Sequence, residues 1–246
     1  GCTCWCACVR GFVRIPTVWG MRFEPPDALK RAPIMLAEAV NRYTDMEASM
    51  DGHLMLTDRR LFSTPFLYIT TTGGFESTQQ ENEGLVAYLR SGGFAFLEDG
   101  EISYRHGPGG TSLKKMLCDA LGSHARFEPI PLNHPLYHCL FDFSDGPPLG
   151  DENRIFTTSM NAGNSCGMGA QNAALRKPSF FLEGIFLDGQ LVAVFSEKSY
   201  GTKWAQSPGS SNNEPQMRFA ANLVVYALTR EGGMTDHIME GFADVW

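Results

Sequence analysis

The chain has little of what most specialised protein classes need. No run of residues approaches the ~20 consecutive apolar positions of a membrane-spanning helix. The most apolar segments, Phe94–Leu97, Leu191–Phe195 and Leu223–Leu228, have the length of strands or short helices. Seven cysteines in 246 residues are too few for a disulfide scaffold. Charged residues make up 19%, too few for a coiled coil, while 43% hydrophobic content is too high for disorder. Twenty basic residues stand against 27 acidic ones, a formal charge of −7. Nucleic acid and anionic membranes are therefore not expected partners, because phosphate binding needs a basic face. No repeat occurs at a solenoid period. No charged n-region followed by an apolar h-region opens the chain, and a removed export signal would leave no trace. What remains is a chain long enough to bury a sizeable core, as one large domain or two small ones.

What is present is alternation of strand and helix signals. Phe12–Ile15 reads as a strand ending at Pro16. The periodic stretch Ala28–Tyr43 reads as a helix with Asp27 as N-cap and Pro33 shortening its first turn. Met46–Ser49 reads as a short strand closed by an Asp51-Gly52 turn. Phe66–Thr70 and Phe94–Leu97 are continuous apolar runs, as expected of strands covered on both faces. Between them, Ser77 or Thr78 can cap a helix, with Glu81 completing a capping box on Thr78 and Ser91-Gly92-Gly93 ending it. Strand, helix, strand, strand, helix, strand predicts an α/β domain of three layers, α/β/α, with a mostly parallel sheet. A helix over Thr111–Leu121, a β-hairpin late in the chain through Asp188-Gly189, and a helix over Pro215–Thr229 follow. The domain organisation expected is a Cys-rich arm over 1–11, the α/β domain over 12–230 with a loop insertion at about 146–174, and a tail over 231–246.

Candidate chemistry falls in several places. Cys2, Cys4, Cys6 and Cys8 alternate, so an extended chain would turn all four thiols one way. They are candidates for a metal clip or intermolecular disulfides, although zinc sites favour a Cys-x-x-Cys spacing that is absent; the alternative is a plain terminal arm. Cys118 and Cys139 lie in apolar settings and are expected to be buried structural thiols, whereas Cys166 stands in a glycine-rich loop. Glu98 and Asp99 stand at the carboxyl end of a central strand, where open α/β sheets bind ligands. With His106, His134 or His138 they could ligate a divalent metal or serve as acid and base; the structural alternative is turn capping and carbonyl bonding. Gly109, Gly110 and Thr111 open a helix whose backbone N–H groups could hold an anion, although the P-loop ending is missing. Trp204 is either a ligand-facing aromatic or a packed one. Trp5, Phe242 and Trp246, in the terminal arms, are candidate partner anchors.

The phrases Leu61–Thr70, Gly73-Gly74-Phe75 and Leu89–Asp99, then His134–His138, Phe141-Asp-Phe143, Leu182–Gly189, Tyr200-Gly-Thr-Lys-Trp204 and Asn222–Thr229, resemble in their order an uncharacterised bacterial domain family. That family is related in fold to class I glutamine amidotransferases and flavodoxin-like sheets. Its members occur alone behind export signals, or at the C-termini of membrane-anchored proteins carrying von Willebrand-like domains and encoded near MoxR-type ATPases. The resemblance implies a single α/β domain and a periplasmic or cell-envelope location, with the cytoplasm as the alternative. A class I amidotransferase needs a cysteine on the elbow after the central strand. Glu98-Asp99-Gly100 stands there instead. The expectation is a non-catalytic binding or assembly module without a cofactor, an accessory subunit whose protein partners belong to a membrane-associated assembly. The alternative is a metal-assisted hydrolase or carbohydrate-active enzyme using Glu98, Asp99 and a histidine.

Overall fold

A computed structural model describes residues 11–100, 107–151, 181–206 and 212–235. Among them, seven strands form one sheet: β1 (Phe12–Trp19), β2 (Glu47–Met55), β3 (Phe66–Thr71), β4 (Phe94–Asp99), β5 (Glu128–Pro129), β6 (Glu183–Leu187) and β7 (Gln190–Ser196). The helices are α1 (Ala32–Tyr43), α2 (Gln79–Arg90), α3 (Pro108–Leu121), the short α4 (Tyr200–Trp204) and α5 (Glu214–Thr229). The strand order is β2-β1-β3-β4-β7-β6-β5. β2, β1, β3, β4 and β7 run parallel, while β6 is antiparallel to both β7 and β5.

Two cores flank the sheet, which makes the fold three-layered. Ile15, Phe66, Tyr68, Phe94 and Phe96 pack with α1 and α5 residues such as Leu36, Val40, Phe219 and Leu223. Val18, Leu67, Ile69, Ala95 and Leu97 pack on the opposite face with Leu85 and Leu89 of α2 and Leu113 and Leu117 of α3. Every residue of β3 and β4 is buried, the physical origin of their unbroken apolar runs. Between β2 and β3 no α-helix intervenes. The chain returns over β1 through 56–65, with a 3-10 turn at Arg59–Ser63 and Leu56 and Leu61 pointing into the α2/α3 core.

Four local expectations are corrected. Pro16 does not end β1, which continues to Trp19. Ile15 pairs with Met50 and Thr17 with His53, so Pro16 stands opposite both Asp51 and Gly52. The residue that cannot donate to the ladder thus sits in a bulge, where its missing N–H costs nothing. Asp51-Gly52 is accordingly part of β2 rather than its end, with Gly52 at φ 56°. Asp27 does not cap α1: the helix starts after Arg31 with Pro33 in its first turn, and Asp27 pairs with Lys30 at 2.6 Å. Finally, Cys118 is exposed and Cys139 only half-buried, because α3 turns position 118 away from its inner stripe of Leu113, Met116 and Leu117. The capping box does form: Thr78 Oγ1 accepts from the Glu81 N–H, and Glu81 Oε2 accepts from the Thr78 N–H at 2.7 Å.

Candidate functional site

β4 delivers Glu98 and Asp99 to the carboxyl edge of the sheet, with exposures of 0% and 2%. Consecutive strand residues point to opposite faces, so the two carboxylates serve different layers. Glu98 shares its face with Tyr68 and Phe96 and meets the turn between β7 and α4. Its Oε1 accepts from the Tyr200 N–H at 2.6 Å and the Ser196 hydroxyl at 3.1 Å. Its Oε2 accepts from the Gly201 N–H at 2.7 Å and the Tyr68 hydroxyl at 3.2 Å. The turn is sharp, with Ser199 in the left-handed region at φ 54° and ψ 47°. That geometry aims two successive N–H groups at one carboxylate, as in an anion-holding backbone nest. All four donors are uncharged, and burial pushes the Glu98 carboxyl up to about 7.

Asp99 turns to the other face and lies against the first turn of α3. A Cβ on Gly110 would come within 2.6 Å of its Oδ2, and one on Gly107 within 2.7 Å. Only glycine at both positions lets the carboxylate approach the start of that helix. A third carboxylate behaves likewise. Glu81, 1% exposed, caps α2 and also accepts from the Met21 N–H at 2.6 Å in the loop after β1. The starts of α2, α3 and α4 are thus each met by a buried carboxylate of the same chain, where the partial positive charge of a helix N-terminus favours an anion. Beside them, Asp151, 1% exposed, pairs with Lys203 at 3.1 Å and accepts from the Thr202 hydroxyl at 3.0 Å. Its own N–H donates to the carbonyl of Lys198, itself 2% exposed.

Residues 24–228 match the family described as Domain of unknown function (DUF4159). The chain belongs to that family. No curated protein matches it. The matched span includes Glu81, Glu98, Asp99 and Asp151, so the buried carboxylates lie inside the DUF4159 domain rather than in the terminal arms.

Within this DUF4159 domain, Gly109 and Gly110 occupy the first turn of α3, and the Cβ of an alanine at Gly109 would meet the Thr71 carbonyl at 2.4 Å. Thr111 is exposed and donates its N–H to the Gly107 carbonyl. Trp204 is fully buried, with its indole N–H on the Gln216 carbonyl at 3.0 Å and its ring among Tyr68, Phe96 and Tyr200; it has no face open to a ligand. His134 is not brought to Glu98 and Asp99. Its ring packs on Tyr226 and Phe186, and Tyr226 packs on Phe94, the first residue of β4. It therefore lies toward the opposite end of that strand, where its Nδ1 accepts from the Leu136 N–H and burial lowers its pKa. His138 is bonded to Asp142 and to the Leu132 carbonyl. His106, Trp5, Phe242, Trp246, Cys2, Cys4, Cys6, Cys8 and Cys166 lie outside the described residues. Among the described residues no group of three His, Cys, Asp or Glu side chains could hold a metal. No helix among them is long and apolar enough to cross a membrane.

The residues that sequence reasoning missed are Tyr68, Asp151, Ser196, Lys198 and Ser199. For Ser196, Lys198 and Ser199 the signal was the strand-to-helix turn Ser196–Gly201, which follows an apolar run. The pairing of that turn with a carboxylate about a hundred positions earlier leaves no local trace.

Proposed function

We propose that this domain is a non-catalytic binding or assembly module, an accessory subunit of a larger membrane-associated assembly in the bacterial periplasm or cell envelope. One observation carries this reading: the starts of α2, α3 and α4 at the carboxyl edge are each met by a buried carboxylate of the same chain. In a doubly wound sheet the ligand crevice lies outside the carboxyl ends of the strands, at the switch in strand order, here between β1 and β3. The order β2-β1-β3-β4-β7 supports a flavodoxin-like sheet, of the kind class I glutamine amidotransferases use. A phosphate, a flavin or a tetrahedral oxyanion at such a sheet depends on open backbone N–H groups. Here Glu98 takes those of Tyr200 and Gly201, and Asp99 crowds the first turn of α3. Glu98 is also spent as an acid or base, since both of its oxygens are bonded internally and its surface is closed to a substrate.

The test is an assay of the purified protein, with and without added divalent metal, on chromogenic amide, ester, phosphate and glycoside substrates. The expected outcome is no turnover that depends on Glu98 or Asp99. Turnover that disappears in Asp99→Asn while circular dichroism stays unchanged would replace the module with an enzyme.

A further inference from the structure

A cleft of about 410 Å³ opens beside the first turn of α5, far from the carboxylates just described in sequence. Phe141, Asp142 and Phe143 form one wall, and Glu214, Pro215 and Arg218 the other. The first wall is rigidly held. Asn222, fully buried on α5, accepts from the Phe141 N–H at 2.8 Å and donates to the carbonyls of Phe141 and Leu136 at 2.9 and 3.1 Å. A buried amide that commits three hydrogen bonds to one loop specifies the backbone carrying the two rings. Both rings stay half-buried: Tyr43 meets Phe141 edge-on at 5.0 Å, and Phe219 meets Phe143 edge-on at 5.3 Å.

The charges of the cleft select a cation. Asp142 and Glu214 line it with Arg218; Glu214 is taken up by Arg218 and by Arg42, whose Nη1 stands 3.9 Å away, so Asp142 is the carboxylate left facing solvent. Hydrogen bonds from Ser144 and His138 hold Asp142 below the usual carboxylate range, and those from Tyr43 and Arg218 do the same for Glu214, so both are ionised at neutral pH. The molecule also displays the chemistry that fits. The Arg218 guanidinium stacks over Phe141 at 5.2 Å while its Nε donates to Glu214 at 3.1 Å. Phe143 and Asp142 repeat that ring-and-carboxylate combination, with no guanidinium over the ring among the described residues, and Asp142 remains 71% exposed. We propose that the cleft takes the side chain of an arginine presented by a protein partner, laid on Phe143 with its fork turned to Asp142. This rests on reading the domain as a binding module. A planar guanidinium can stack and bond at once, which the compact ammonium of lysine cannot. An anion meets two carboxylates and a base already paired with one of them.

The test titrates the ¹⁵N-labelled full chain with N-acetyl-arginine amide and, in parallel, with the lysine and glutamate analogues. Saturable shifts confined to Phe141–Phe143 and Glu214–Arg218 are expected for the arginine probe. Asp142→Asn and Phe143→Ala should each weaken binding about fivefold, the size of one partly exposed cation–π or charge contact. Asp142 is a solvent-facing side chain, so its variant keeps the test valid even where Phe143→Ala fails to fold. An absence of saturable shifts, equal binding of the lysine or glutamate analogue, or an unweakened Asp142→Asn each overturns the proposal. None of these outcomes touches the module reading, which falls only to Asp99-dependent turnover.

Discussion

The two ends of the central strands are held by opposite chemistry. At the carboxyl edge, helices begin and leave N–H groups without partners, and the chain answers with acceptors: Glu81 at α2, Glu98 at α4 and Asp99 at α3. At the amino edge, the turns that lead into β3 and β4 leave carbonyls, and the chain answers with donors. Arg230, 5% exposed, gives its guanidinium to the carbonyls of Gly92 and Gly93 at 2.7 and 3.1 Å. The Tyr88 hydroxyl donates to the Thr64 carbonyl at 2.9 Å and accepts from the Phe94 N–H at 3.1 Å. Buried acceptor side chains thus meet helix starts at one end of the strands, buried donors meet turn carbonyls at the other, and both are spent internally.

That comparison can be broken most directly at Glu98. Replacing it by alanine strands two buried N–H groups and two hydroxyls, and should cost about 3–5 kcal/mol in urea unfolding. A loss below about 1 kcal/mol would mean that the turn carrying Ser199 is held by something other than the carboxylate.

The next largest effect is a pH dependence. The Glu98 carboxyl titrates at about 7 in the folded chain against an ordinary 4.5, chiefly because it is buried. A raised carboxyl favours the protonated fold. Its contribution is therefore complete below about pH 4.5 and is lost as pH rises through about 7, a swing of about 3 kcal/mol. Glu98→Gln does not titrate. The difference in unfolding free energy between wild type and this variant should shift by that amount across the window, and a flat difference would show that Glu98 is solvated.

The smallest of the three sharpens the other end. Arg230→Met keeps the apolar stem and removes the two carbonyl contacts, and should cost about 2 kcal/mol, below Glu98→Ala. A larger cost than at Glu98 would reverse the ranking of the two edges.

Much of the layout was legible because its causes are local. Phe66–Thr70 and Phe94–Leu97 announce buried parallel strands by their unbroken apolar runs, and Thr78 with Glu81 announces a helix start three residues apart. Pro16 misled for an equally local reason: it signals a strand end, and only the two-residue bulge of Asp51-Gly52 on the neighbouring strand makes it harmless. Asp27 was a plausible cap whose helix simply starts later, after Arg31. At the site, the position of Glu98 and Asp99 at a strand end could be read. The role of Glu98 could not, because its partners Ser196, Tyr200 and Gly201 belong to a strand and turn that reach it only when β7 pairs with β4. The same holds for His134, which shares a pattern with the acids in sequence and is kept from them by the length of β4.

By itself the chain determined its alternation, its two-faced burial and the helix start at Thr78, since apolar periodicity and capping act over a few residues. Only the tertiary structure decided that Glu98 and Asp99 meet the starts of α4 and α3 and that Arg230 meets the turn carbonyls of Gly92 and Gly93. Buried polar groups are satisfied by whichever side chain the packing brings near, and packing joins residues that the sequence holds up to a hundred or more positions apart.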